Sequence, residues 1–190
     1  YAAIDITTPN SSDDYDGLWH TSPFSITISA SDADSGVAVV YYDNGSLNNQ
    51  APPVVMSYAG SQEINQSVTY YAQDNVGNNE NNKTINVLFD SVLPGVTFTS
   101  GANGTYNVTQ TVTATASDTF LSNVKVYVNG ILNKTCTASP CSISLNSTGN
   151  YVVNASTSDM AGNTNWTGFL NINVDMIAPT ISISAPTNNT

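Results

Sequence analysis

Apolar and polar residues alternate along much of this chain, and a period of two is the mark of half-buried strands. The cleanest run is Phe24-Ser25-Ile26-Thr27-Ile28-Ser29-Ala30, where every second side chain is apolar. Ahead of it, Ala2 to Thr8 alternates around Ile4 and Ile6 and stops at Pro9, which predicts a first strand. Asn10 to Gly17, carrying Asp13, Asp14 and Asp16, reads as an acidic loop. Asp32-Ala33-Asp34-Ser35-Gly36 is a turn. Val37 to Tyr42 predicts a third strand, and Asp43-Asn44-Gly45 signals a hairpin after it. Pro52 to Tyr58 predicts a short edge strand, where proline is tolerated. Gln66 to Ala72 predicts another, its register left open around Val68, Tyr70 and Tyr71. Ile85, Val87 and Phe89 share one face of a last strand.

The pattern then starts again. Asp74-Asn75-Val76-Gly77-Asn78 and Asp159-Met160-Ala161-Gly162-Asn163 are equivalent and lie 159 − 74 = 85 positions apart. Each is followed by a strand, an aspartate (Asp90, Asp175) and a proline (Pro94, Pro179) at the same spacing. Val112, Ala114 and Ala116 match Ile26, Ile28 and Ala30, and Asp118 matches Asp32. Val96 with Phe98, Val124 to Val128, Tyr151 to Ser156, and Leu170 with Ile172 and Val174 supply the remaining strands, with Asn129-Gly130 as a hairpin turn. A fixed period means repeated structural units. About seven short strands per unit, separated by turn signals, predict an all-β chain of tandem immunoglobulin-like β-sandwich domains. The units are 1–93 and 94–179. Residues 180–190 repeat the start of a unit through Ile181 and Ile183 and read as an assembly strand. That strand belongs either to a continuing polypeptide or to a neighbouring copy that it joins by strand addition.

Composition adds the surface. The chain has 25 asparagines, 23 serines, 23 threonines, three lysines, no arginine and a net charge of −11. Without arginine and with that sign, nucleic acid and acidic lipid are poor partners. No apolar run is long enough to span a membrane. Asn-x-Ser/Thr begins at Asn10, Asn44, Asn65, Asn82, Asn103, Asn107, Asn133, Asn146, Asn154, Asn165 and Asn188. Eleven acceptor sites against a chance expectation of roughly six argue for covalent glycans on surface loops. Cys136 and Cys141 bracket a short loop and read as a local disulfide, which implies an oxidising compartment. The chain opens at Tyr1 without a signal-peptide core, so it reads as a mature secreted chain or a window on a longer one.

Candidate chemistry is sparse. His20 is the only histidine and sits beside Trp19 at the head of a strand, a place for packing or capping. Trp166 lies inside an acceptor site, where an aromatic can stack a sugar or half-bury at a strand edge. Turn aspartates ordinarily cap backbone amides, yet clustered carboxylates also suit calcium. Calcium is therefore a candidate cofactor at Asp90, Asp118 and Asp159, with Asp175 serving a further junction.

Four runs carry a family resemblance: Trp19-His20-Thr21-Ser22-Pro23, Ile26 to Asp32, Ser35-Gly36-Val37, and Tyr70 to Asn78. They resemble the OmpL47-type prokaryotic Ig-like repeats over most of residues 15–94. The second unit resembles prokaryotic Ig-like repeats more generally, through its Asp-x-x-Gly-Asn turn and Asp-x-x-x-Pro linker. The resemblance implies an extracellular, cell-surface location and no enzymatic activity. The expected function is a structural glycoprotein whose units join head to tail, with itself as partner, into a filament, stalk or surface layer. The alternative is an adhesin, or a carbohydrate-binding or spacer module of a secreted enzyme.

Overall fold

The structure, a computed structural model, describes residues 4–182 and 184. It divides into two compact units: Tyr1–Leu93 with Asp159–Asn163, and Pro94–Ser158 with Thr164–Thr190. The chain is all-β, and among the described residues no helix is long and apolar enough to cross a membrane.

In the first unit the alternation becomes two facing sheets. The strands are β1 (Asn10–Asp13), β2 (Trp19–His20), β3 (Phe24–Ser31), β4 (Val37–Asp43), β5 (Leu47–Gln50), β6 (Val54–Tyr58), β7 (Glu63–Asp74) and β8 (Lys83–Asp90). One sheet runs β1-β3-β6 and the other β2-β8-β7-β4-β5. Every pairing is antiparallel except the short β2, which lies parallel to β8. In immunoglobulin lettering these are A-B-E and A′-G-F-C-C′, so the unit is an Ig-like sandwich. Ile26, Ile28, Val54 and Met56 of one sheet meet Val40, Val68, Tyr70, Ala72, Val87 and Phe89 of the other. The open register of β7 is thereby settled: Val68 and Tyr70 point inward, and Tyr71 stacks on Tyr41 at 4.8 Å outside the core.

The second unit repeats the plan with β9 (Gly95–Ser100), β10 (Gly104–Tyr106), β11 (Gln110–Ser117), β12 (Leu121–Val128), β13 (Ile131–Cys136), β14 (Cys141–Leu145), β15 (Gly149–Asp159), β16 (Thr164–Trp166) and β17 (Leu170–Val174). Its sheets run β9-β11-β14 and β10-β17-β15-β12-β13, with β16 beside β15. Strand for strand this is the same order. Val112, Ala114, Val124, Val126, Val153 and Val174 are fully buried in its core. Asn129 and Gly130 take φ of 52° and 78°, the paired positive angles of a tight hairpin turn between β12 and β13.

One expectation fails. Residues 4–9 form no strand, and Ile4 and Ile6 are 87% and 81% exposed. The first strand is β1, inside the stretch expected to be an acidic loop. The period explains the error. Asn10 pairs with Ser31 as Gly95 pairs with Ser117, and 95 − 10 = 85. Ile4, Asp5 and Pro9 therefore stand where Phe89, Asp90 and Pro94 stand and belong to a linker. Apolar rhythm misled because β1 carries no apolar residue and is held by hydrogen bonds instead. The same period sets Ile181 against Val96 and Ser11. Ile181 is 89% exposed and outside any strand, and Ile183 lies outside the described residues. In both units the place beside β3, or beside its counterpart β11, is already filled, by β1 and by β9.

Candidate functional site

The chemistry of the first unit gathers where β1 meets β7 and β8. Ser11 is 2% exposed, although serine has nothing to gain from an apolar interior. Its amide donates to Glu80 Oε2 at 3.0 Å, and its hydroxyl donates to Glu80 Oε1. The Ala72 amide reaches the same carboxylate at 2.8 Å, and Lys83 Nζ lies 3.0 Å from Oε2. The Glu80 side chain is only 6% exposed. Burial pushes its carboxyl up, but the hydrogen bonds from Ser11, Lys83 and Ala72 outweigh it and hold the group below the ordinary carboxylate range. Lys83 Nζ also donates to Asn10 Oδ1 at 3.0 Å and to the Ser11 carbonyl. Farther along β1, the Tyr70 hydroxyl donates to Asp13 Oδ2 at 2.5 Å. Burial and that carboxylate raise the Tyr70 hydroxyl well above its ordinary value. This network was not foreseen from sequence. Scarcity was the available signal, since Glu80 is one of two glutamates and Lys83 one of three lysines.

At the turns, aspartates cap backbone. Asp32 Oδ1 accepts amides from Asp34, Ser35 and Gly36 at 2.9–3.1 Å. Asp74 Oδ1 takes Val76 and Asn78, while Asn78 Nδ2 donates to its Oδ2 and to the Asp5 carbonyl. Asp5, Asp32 and Asp74 bring one carboxylate oxygen each to within 4.8 Å of one another. These three are the first-unit counterparts of Asp90, Asp118 and Asp159. Asp90 is fully buried at the end of β8, with Oδ1 accepting the Val92 amide at 2.9 Å. Asp118 accepts the Phe120 amide at 2.7 Å, and Asp159 those of Gly162 and Asn163. Exposed Asp175 accepts the Ile177 amide at 3.1 Å. All four act as turn caps.

The acceptor asparagines sort by what their amide nitrogens do, because glycosylation consumes Nδ2. Asn10, Asn44, Asn65, Asn82, Asn103, Asn107, Asn133 and Asn146 are exposed. Asn44, Asn65 and Asn103 accept hydrogen bonds through Oδ1, from Asn48, Asn86 and the Asn171 amide. Asn154 and Asn165 are half-buried, and Asn165 Nδ2 donates to the Pro94 carbonyl at 3.0 Å. Asn188 lies outside the described residues.

Cys136 and Cys141 are joined, tying β13 to β14. His20 stacks on Phe24 at 3.9 Å and shares a contact of 3.0 Å with Asp16, a packing role. Trp166 is 51% exposed and lies against Tyr127 at 5.2 Å.

No family model matches this chain, and no curated protein matches it. Solved structures do. Fibronectin(III)-like modules of Clostridium thermocellum CbhA are 17% identical, with a TM-score of 0.43, over 93% of this chain and 100% of that one. A titin Ig tandem is 10% identical, with a TM-score of 0.39, over 89% and 99%. A tetra-tandem repeat from the extending region of a large adhesion protein is 21% identical, with a TM-score of 0.42, over 89% of this chain and 49% of that one.

Proposed function

We propose that this chain is a non-enzymatic structural part of an extracellular prokaryotic glycoprotein, in which Ig-like units follow one another head to tail as a stalk or filament at the cell surface. One observation carries the reading. The Asp-x-x-x-Pro linker occurs three times, at Asp5–Pro9, Asp90–Pro94 and Asp175–Pro179, always 85 positions apart. A period that includes the linker as well as the sandwich is the property of an array. A head-to-tail contact that does not close on itself makes an open fibre. Strand donation by Ile181 and Ile183 fits this less well than continuity along a polypeptide, because the first-strand positions are filled and the one in the first unit is lined by Glu80 and Tyr70. The exposed acceptor asparagines supply glycans that wet a surface with few charges. Negative-stain microscopy of the protein purified from its source tests the proposal. Long regular fibres with a repeat along their axis are expected, and dispersed globular particles would overturn it.

The carbohydrate-binding alternative has one observation in its favour, the half-exposed Trp166 against Tyr127. A shift in tryptophan fluorescence on titration with oligosaccharide, abolished in Trp166→Ala, would support it.

A further inference from the structure

We propose that Lys83 and Asn10 become joined by an isopeptide bond, formed inside the folded first unit with Glu80 as the base. The ingredients are a primary amine, a carboxamide and a sequestered carboxylate. Lys83 Nζ lies 3.0 Å from Asn10 Oδ1 and 3.0 Å from Glu80 Oε2. The Ser11 carbonyl holds Nζ from a third side, so the amine is fixed beside the carboxamide and not merely near it. Fixing two reactants in this way replaces a bimolecular encounter with an intramolecular one. Glu80 is held in place by the Ser11 and Ala72 amides, which leaves Oε2 facing the lysine. The other two lysines lack this trio: Lys134 Nζ donates to the Ser142 carbonyl.

The step balances without a co-reactant. Glu80 takes a proton from the Lys83 ammonium, and the freed lone pair on Nζ attacks Asn10 Cγ. The Cγ–Nδ2 bond breaks as the new Cγ–Nζ bond becomes a secondary amide. The proton on Glu80 and a second proton shed by Nζ both pass to Nδ2, which departs as ammonium. Asn10 is exposed, so the leaving nitrogen exits directly to water. Nothing is oxidised or reduced.

The location gives the bond a purpose. Asn10 opens β1, the first strand, and Lys83 opens β8, the last, and the two strands lie in opposite sheets. These are the strands next to the linkers, through which any pull on the unit enters and leaves. A covalent tie between them carries load past the core hydrogen bonds. The proposal stands whether or not the chain forms fibres. It competes directly with a glycan on Asn10, because both use Nδ2.

Expression in a host without N-glycosylation, followed by intact-mass measurement, tests it. The wild-type chain is expected to be lighter than its sequence by one ammonia beyond the disulfide hydrogens, and digestion should yield one branched peptide joining Asn10 to Lys83. Lys83→Arg and Glu80→Gln, each shown folded by circular dichroism, should both regain the missing ammonia. A folded wild-type chain of full mass would overturn the proposal. So would an ammonia loss that persists in Lys83→Arg, since it would report cyclisation of an asparagine, or a glycan on Asn10 in material from the source.

Discussion

Glu80 and Asp74 make the first unit sensitive to acid. Burial opposes ionisation at both, yet hydrogen bonds lower both carboxyls below their ordinary values. A carboxyl with a depressed folded pKa contributes stability that is complete above its unfolded value, about 4.3 for glutamate. That contribution is lost as pH falls through the folded value. Thermal melts should thus hold steady from neutral pH down to the ordinary carboxylate range and drop below it, and Glu80→Gln should flatten the drop. Tyr70 has the opposite sign. Its raised hydroxyl adds stability below its unfolded value and loses it as pH rises through the folded one, so Tyr70→Phe should blunt alkaline unfolding. A third residue tests the core: Phe89 is fully buried, and Phe89→Ala should cost about 3–5 kcal/mol in denaturant unfolding. Core residues such as Phe89 were legible in the sequence because alternation alone places them. Ser11 and Glu80 were not, because a polar residue announces a buried role only through partners distant in sequence.

Strands and turns follow the same division. β3, β4, β8 and β11 fall where alternation puts them, since each buries one face. β1 carries no apolar residue and so reads as a loop, while Ala2 to Thr8 reads as a strand because the linker happens to alternate. The hairpins were readable from Asn129-Gly130 and from Asp43-Asn44-Gly45, whose glycines take φ of 78° and 103°. Gly77 has a φ of 97°, and nothing lies within 4 Å of where its Cβ would be. Gly77→Ala should therefore cost only the backbone strain of a left-handed residue, about 1–2 kcal/mol in thermal unfolding. The disulfide ties the end of β13 in one sheet to the start of β14 in the other. Closing so small a loop restrains the unfolded chain by about 2 kcal/mol. Replacing Cys136 and Cys141 with serine should lower the unfolding midpoint by a few degrees, with the largest loss of exchange protection in β13 and β14.

For the molecule as a whole, two tandem sandwiches were legible, because the Asp-x-x-Gly-Asn turn and the Asp-x-x-x-Pro linker recur at 85 positions; the order of strands within each sheet was not, because it depends on pairings distant in sequence. The set of usable acceptor sites was not, because the sequon fixes residue type and says nothing of where Nδ2 points. Site-by-site mass spectrometry of source material should find glycan on Asn44, Asn65 and Asn103, whose nitrogens are free of these bonds. Asn165 should be bare, because its nitrogen is spent on the Pro94 carbonyl. Removing that bond by shortening the linker at Pro94 should make Asn165 glycosylated.

The recurrence of one turn at Gly77 and Gly162, with φ of 97° and 96°, also has a genetic consequence. A coding change that inserts or removes the stretch from one of these joints to the other leaves an intact joint behind. Such a change adds or removes a whole sandwich and never a fraction of one. Alleles of this gene are therefore expected to differ in length by multiples of one unit, and sequencing the locus across related isolates would reveal the steps.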